Sequence, residues 1–349
     1  MEGASLVRFP SSFVRSSWTI PSPRGIVLKR HGVKLCISCR SESPETMVVS
    51  ITGATGFIGR RLVHRLASDG HKVRVLTRSI SKAADLFPAR DYPTVEVSLE
   101  RDLEKCIPGS TGVVNLTGTP ISTRWTSEVK DEIKRSRISL TTKLVETINT
   151  TPKELRPKVL VSASAVGFYG ASETSTYDET SPSGNDYLAE VCREWEAAAS
   201  NVDGSVKLVL LRIGIVLDKE GGALASMVPL FKVFAGGPIG SGKQWFSWVH
   251  REDLVSLIIE ALTNPTYKGV INGTAPNPVR MAEICDTLGR VLGRPSWLPV
   301  PEIALKAVLG EGASAVLDGQ RVVPKRAQEL GFKFKYRYIG DALKAIFAS

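Results

Sequence analysis

The sequence predicts an α/β protein: a doubly wound parallel sheet followed by a smaller C-terminal lobe. Three observations predict it. β-branched runs alternate with helical stretches along most of the chain. A glycine turn lies between the first such run and the first helix. From about Gly221 the alternation gives way to loops and then to short, Pro-rich segments.

The elements follow in order. Met47 to Ile51 is a short apolar run of the kind a buried parallel strand needs. The helix after the turn carries Leu62, Val63 and Leu66 on one face and ends at Asp69-Gly70. Val73 to Thr77 is the next strand, and a helix begins near Ser81 and stops before Pro88. Gly112 to Leu116 is another strand. A long polar helix is expected from about Glu128 to Ile148, its apolar stripe marked by Val129, Ile133, Ile138 and Leu144. Lys158 to Ser162 and Lys207 to Arg212 are strands, with a helix from Tyr187 to Ala199 between them. After the loop Gly236 to Gly242 and the aromatic stretch Trp245 to Trp248, Asp253 to Leu262 closes the nucleotide-binding domain, read as 47–262. Residues 263–349 form the C-terminal lobe, expected to cap the carboxyl ends of the strands.

Residues 1–46 differ from the body. They hold nine serines and seven cations against three acids, which is +4 of the chain's formal +10. A Ser- and Arg-rich, acid-poor start with no long apolar run has the composition of an organelle transit peptide, expected to be disordered. The body's remaining charge is too dispersed to read as a nucleic-acid stripe. Five scattered cysteines and four dispersed histidines give no metal site; Cys36 and Cys39 make a lone C-x-x-C.

The turn reads Thr52-Gly53-Ala54-Thr55-Gly56-Phe57-Ile58-Gly59. Glycines at 53, 56 and 59 permit a tight bend, an approach of backbone to a pyrophosphate, and close packing of helix on strand. The free N–H groups and positive end of the helix then meet the phosphates. Strand, glycine triplet and helix in this order are the fingerprint of a Rossmann-type dinucleotide site. The second strand ends Thr77-Arg78-Ser79, without the acid that would hold a ribose diol. A guanidinium at 78 suits a 2′-phosphate, with Ser79 and Lys82 as further donors, so the cofactor expected is NADP. The expected contacts are Thr52, Gly53, Thr55, Gly56, Phe57, Ile58, Gly59, Arg78 and Ser79, with Asn115 and Leu116 beside the ribose.

The glycine motif looks like that of extended short-chain dehydrogenases/reductases. Ser122-Thr-Arg-Trp-Thr126, Ser162-Ala-Ser-Ala-Val-Gly-Phe-Tyr-Gly170, Tyr187 to Glu196, Gly236 to His250, Arg294 to Pro299 and Gly319 to Pro324 narrow this. Together they resemble the epimerase family branch, over roughly residues 47–349. The resemblance implies an NADP-dependent oxidoreductase fold with an unknown small-molecule substrate. Joined to a plastid-type leader, it resembles the plant, SulA-like members of that branch. This implies a chloroplast protein that promotes plastid division, with division proteins or the stromal face of the inner envelope as partners.

Enzymes of this superfamily use a Ser, a Tyr and a Lys four residues after the Tyr. The resemblance puts Ser164 and Tyr187 at the first two positions, but the third is Val191. On the same helix Arg193 lies on another face. An apolar neighbour raises a phenol's pKa where the Lys would lower it. The acid/base set is therefore incomplete. That leaves two hypotheses: an NADP-dependent enzyme, and a non-catalytic regulator that keeps the cofactor site.

Further positions have two readings each. Tyr169 is a second phenol or a wall of the cofactor pocket. Arg124, Trp125 and Arg137 line the substrate side or, for Arg137, a solvated helix face. Gln244, Trp245, Trp248 and His250 form a pocket or an inter-lobe core, with core favoured. The last helix, with Ile339, Ala342, Leu343, Ile346 and Phe347 at helical spacing, docks on the lobe or lies on a membrane surface.

Overall fold

Parallel pairing of seven strands organises residues 46–348, which the computed structural model describes. The chain runs β1 (Val48–Thr52), α1 (Phe57–Ser68), β2 (Lys72–Thr77), α2 (Ile80–Leu86) and β3 (Val95–Leu99). A short α3 (Leu103–Cys106) leads to β4 (Gly112–Asn115), the long α4 (Ser127–Thr150) and β5 (Val159–Ala165). Then come β6 (Thr176–Tyr177), α5 (Tyr187–Ser200), β7 (Lys207–Ile213), β8 (Ile215–Asp218) and α6 (Gly222–Lys232). The remainder is β9 (Trp245–Phe246), β10 (Trp248–His250), α7 (Arg251–Thr263), β11 (Gly269–Gly273), β12 (Val279–Arg280), α8 (Met281–Leu292), α9 (Glu302–Leu309), α10 (Ser314–Leu317), β13 (Arg321–Val322), α11 (Lys325–Glu329) and α12 (Ile339–Ala348).

The sheet order is β11-β7-β5-β4-β1-β2-β3, all parallel. From β1 the chain winds outward through β2 and β3, then returns to β4 on the other side of β1. The order thus reverses between β1 and β4, whose carboxyl ends Thr52 and Asn115 are in register. That crevice is where open α/β sheets bind ligands. Successive side chains of β4 part to opposite faces: Val113 joins the core under α3 and α4, Val114 the core under α1 and α7.

Two strands of this sheet are additional to the sequence reading. β3 is a half-buried five-residue edge strand with Glu96 and Ser98 in it, so its apolar signal is thin. β11 begins and ends in glycine and reads as a turn; it pairs with β7 throughout. The sheet therefore extends through Gly273, past the domain boundary expected at 262. The expected leader, 1–46, lies almost wholly outside the described residues.

The C-terminal lobe has its own core. Phe231, Phe246, Trp248, Met281, Ile284 and Leu288 are buried together with Ile339, Ala342, Leu343 and Ile346 of α12. Burying each Leu or Ile of α12 contributes roughly 2 kcal/mol, so its apolar face is spent on docking. The membrane-surface reading of this helix is overturned, because the face it needs is covered. Among the described residues no helix is long and apolar enough to cross a membrane.

One buried ion pair ties β7 to α5 behind the crevice. Arg212 donates from Nε and Nη2 to the two oxygens of Glu196, both at 2.8 Å. The pair is almost fully buried, with side-chain exposures of 5% and 10%. Its periphery is satisfied too: the Ser164 hydroxyl donates to Glu196 at 2.6 Å and Arg212 donates to the Tyr169 hydroxyl at 3.0 Å. Tyr169 in turn donates to Asn272 Oδ1 at 2.7 Å, which joins β11. Removing one partner of such a pair strands a charge. Glu196→Ala should therefore cost about 3–5 kcal/mol, and the double replacement Glu196→Met with Arg212→Met much less. Urea unfolding measures both; a loss under about 1 kcal/mol for the single variant contradicts this account.

Candidate cofactor cleft and substrate pocket

The turn after β1 is built by contact. Gly53 has φ +69°, and a Cβ there would lie 2.6 Å from the carbonyl oxygen of Leu116. A Cβ on Gly59 would lie 2.4 Å from the Gly53 carbonyl oxygen. The N-cap of α1 is Gly56, so no side chain caps the first turn and its N–H groups stay available. These are the features of a phosphate cradle: bare backbone, open amides and the positive end of a helix.

The turn forms one wall of a cavity of about 1110 Å³ along the β1–β4 crevice. Gly53, Thr55, Gly56, Phe57, Ile58, Gly59, Arg78, Ser79 and Leu116 all line it. Thr52 and Asn115 do not. Both are fully buried, and the Thr52 hydroxyl donates to Asn115 Oδ1 at 2.7 Å. Asn115 passes the chain on to Thr141 at 2.8 Å and Ser162 at 3.3 Å. Their role is to lock β1, β4, β5 and α4 beneath the cleft, a correction to the contacts expected from the sequence.

Arg78 is exposed at the cleft rim. Its charged neighbour is Glu100, which also lines the cleft. Burial pushes the Glu100 carboxyl up, against the pull of Arg78 and Thr117. An acid thus does reach the ribose end, but from the segment after β3. The sequence offered no signal for it, since β3 itself was unread. Ser79 caps α2, accepting from the Lys82 amide at 3.4 Å, so its hydroxyl is partly spoken for.

A second cavity, of about 350 Å³, opens between the sheet's carboxyl end and the C-terminal lobe. Tyr187, Val191, Trp125 and Arg137 line it, joined from the lobe side by Trp245 and Asp318. Tyr187 donates its hydroxyl to the Lys130 carbonyl at 2.6 Å and sets its ring edge-on to Trp125, 5.2 Å away. Val191 is buried in the apolar cluster of Trp125 and Ile133. Burial raises the Tyr187 pKa, as the missing Lys implies. Lys134 and Arg137 pull the other way, so cations do approach the phenol, from α4 and not from its own helix. Lys134 is held by Glu190 and Glu194, each at 2.7 Å, and its ammonium pKa rises to about 12.

Ser164 is not with Tyr187. It is 2% exposed, does not line the pocket, and its hydroxyl belongs to Glu196. In β5 the neighbouring residue, Ala165, faces the pocket instead, as strand alternation requires. The Ser–Tyr pair implied by resemblance is therefore not assembled. Tyr169 is 2% exposed and burial pushes its phenol up to about 12. It lies in the ion-pair network and not on the cofactor wall. Arg124 donates to the Ala307 carbonyl at 2.8 Å, fastening α9 over the pocket loop.

The aromatic stretch divides. Trp245 is a pocket wall; Trp248 is fully buried. Gln244 is buried and donates to the Ile239 and Val316 carbonyls. His250 is buried, stacked 3.9 Å from Tyr336, and its Nδ1 accepts from the Glu252 amide. Among the described residues no cluster of His, Cys, Asp or Glu could hold a metal ion.

Residues 49–272 match the NAD dependent epimerase/dehydratase family. The chain belongs to that family. A domain of unknown function matches residues 300–346 of this family member, which include α9 and most of α12. It is 63% identical over 313 residues to the Arabidopsis thaliana "Epimerase family protein SDR39U1 homolog, chloroplastic", covering 90% of each chain. It is 38% identical to "Epimerase family protein YfhF" of Bacillus subtilis, over 86% of this chain and 98% of that one. The crystal structure of human epimerase family protein SDR39U1 (isoform 2) with NADPH superposes with a TM-score of 0.79 at 34% identity. That match covers 87% of this chain and all of the human one.

Burial pushes the His250 pKa from 6.5 down to about 4. Between those values the unfolded chain takes up a proton that the folded protein refuses. Stability should fall as pH drops from 6.5 to 4, with no contribution from His250 above that window. His250→Asn should flatten this part of the curve in denaturant titrations at stepped pH; an unchanged slope would show that His250 is not held neutral.

Proposed function

We propose that this epimerase-family protein binds NADP(H) along the β1–β4 crevice and reduces a small carbonyl compound in the adjoining pocket. The cradle at Gly53–Gly59 carries the reading, because a Cβ at either end would collide with backbone. Gly56 and the first amides of α1 would hold the pyrophosphate, with Arg78 and Lys82 at the 2′-phosphate. The NADPH in the human relative's structure supports the choice of cofactor. When bound, the nicotinamide supplies hydride exchange with carbon.

The chain's own residues favour one direction. With its pKa raised, the Tyr187 phenol is protonated at neutral pH. It is set to give a proton to a nascent alkoxide and poorly set to remove one from an alcohol. To act, it must give up its bond to the Lys130 carbonyl. Trp125, Val191 and Ile133 give the phenol an apolar surround on the pocket side.

A second reading rests on Val191: a regulator that retains the cofactor site without turnover. A part in plastid division, through division proteins or the inner-envelope surface, belongs to this reading and is supported by the motif resemblance alone. Chloroplast localisation is supported by the leader's composition and by the name of the Arabidopsis relative.

Titration should show NADPH preferred over NADH, with the preference reduced or reversed in Arg78→Asp. Equal affinities in both proteins would remove the 2′-phosphate assignment. With a carbonyl substrate in hand, Tyr187→Phe should lose roughly 100-fold or more in kcat; an unaffected rate would take the phenol out of the chemistry.

A further inference from the structure

The pocket contains a cation without a counter-ion. Arg137 reaches it from α4, beside the apolar walls of Trp125, Ile133 and Trp195. Its Nη1 donates to the Ile133 carbonyl at 3.1 Å and its Nη2 to the Thr119 carbonyl at 3.0 Å. Its guanidinium lies 5.4 Å over the Trp195 ring. A guanidinium has five N–H donors in a planar fork, so three remain beyond the two used here. Among the described residues no carboxylate takes them. The ionisable groups acting on Arg137 are Cys192 and Tyr187, both neutral at physiological pH, the thiol being pushed up to about 11.

Four other inward-facing arginines contrast with it. Arg212 is paired with Glu196, Arg251 with Asp218 and Glu220, Arg61 with Glu252 and Arg156 with Asp203. Two acids line the same pocket, but neither is among the charges acting on Arg137. Asp186 caps α5 through the Ala189 amide at 2.8 Å, and burial with the neighbouring Asp186 and Glu302 pushes the Asp318 carboxyl up against the pull of Lys306. Burial also makes the charge of Arg137 costlier to keep. A half-buried, desolvated charge with no ion pair among the described residues is suited to recognise an anion.

Its place narrows the ligand further. A Cβ on Gly118 would lie 3.0 Å from the Arg137 guanidinium carbon. Gly118 and Thr119 line the cofactor cleft, so Arg137 sits where cleft and pocket meet. A cavity of about 350 Å³ is near the lower bound for small-molecule sites. Its walls are largely indole and aliphatic, with Arg137, Tyr187, Asp186 and Asp318 as polar groups among them.

We propose that the pocket's substrate is a small organic carboxylate with an apolar body, and that Arg137 is the residue that binds its carboxylate. This rests on the NADP(H) reading above and names the substrate class of that site. The carboxylate would dock on the free edge of the guanidinium, next to Tyr187, with the body against Trp125 and Trp195.

The test uses the full chain saturated with NADPH and two probes of equal shape, benzoate and benzamide, followed by calorimetry. Wild type should bind benzoate about 10-fold or more tighter than benzamide, as a charge-assisted pair would give. Arg137→Gln should abolish that preference while leaving the benzamide and NADPH affinities within about twofold. Arg137→Lys should keep part of the preference, and serves if the Gln variant does not fold. Equal binding of the two probes by wild type, no binding of either, or a preference that survives Arg137→Gln overturns the proposal. So does a variant that loses NADPH and keeps the benzoate preference, since Arg137 would then serve the cofactor. If wild type fails to bind NADPH at all, the cofactor reading fails by itself. The benzoate preference, measured without cofactor, then still decides the role of Arg137.

Discussion

The carbonyl oxygen of Gly53 occupies space that a side chain at 59 would need, 2.4 Å from where its Cβ would sit. The Leu116 carbonyl does the same to Gly53 at 2.6 Å. Strand β1, helix α1 and the end of β4 can approach this closely only because both positions lack a side chain. The approach has three consequences. It aims the first amides of α1 into the crevice, it brings β4 alongside as the facing wall, and it fixes where the sheet order reverses. Beneath it, Thr52, Asn115, Thr141 and Ser162 form one buried chain of hydrogen bonds that ties β1, β4, β5 and α4 together under the cleft.

Behind the pocket, the Glu196–Arg212 pair plays a comparable part. It joins α5 to β7 and, through Tyr169 and Asn272, to β11. It also consumes Ser164. A hydroxyl that donates 2.6 Å to a buried carboxylate is not free to orient a substrate carbonyl. The serine expected in a catalytic role therefore supports the scaffold, and Tyr187 stands without either of its usual companions.

What surrounds Tyr187 comes from α4. Lys134 and Arg137 lower the cost of ionising the phenol, while burial raises it by more. Lys134 is held by two glutamates of α5, which leaves Arg137 as the α4 cation lining the pocket, with Asp186 and Asp318 in the same lining. The site thus combines a protonated phenol, a cation without an ion pair, two carboxylates and largely apolar walls next to a dinucleotide cleft. That arrangement fits the proposed reduction of a small anionic carbonyl compound, because the phenol on the pocket wall holds its proton.

The sequence by itself determined the fold class and the cradle. Both depend on neighbours in the chain: strand-to-helix alternation, three glycines at fixed spacing, and Arg78 at the end of the strand after them. Val191 was legible for the same reason, as a position counted from Tyr187. Tertiary structure alone decided the rest. Glu100 meets Arg78 because β3 pairs with β2. Ser164 is drawn to Glu196 because α5 packs behind β5. Arg137 enters the pocket because α4 packs against α5. β11 joins the sheet although its five residues begin and end in glycine. Each of these depends on which way a side chain points and on what a distant element brings to it. Local periodicity carries neither, since contact between residues far apart in the chain is set by packing and not by spacing.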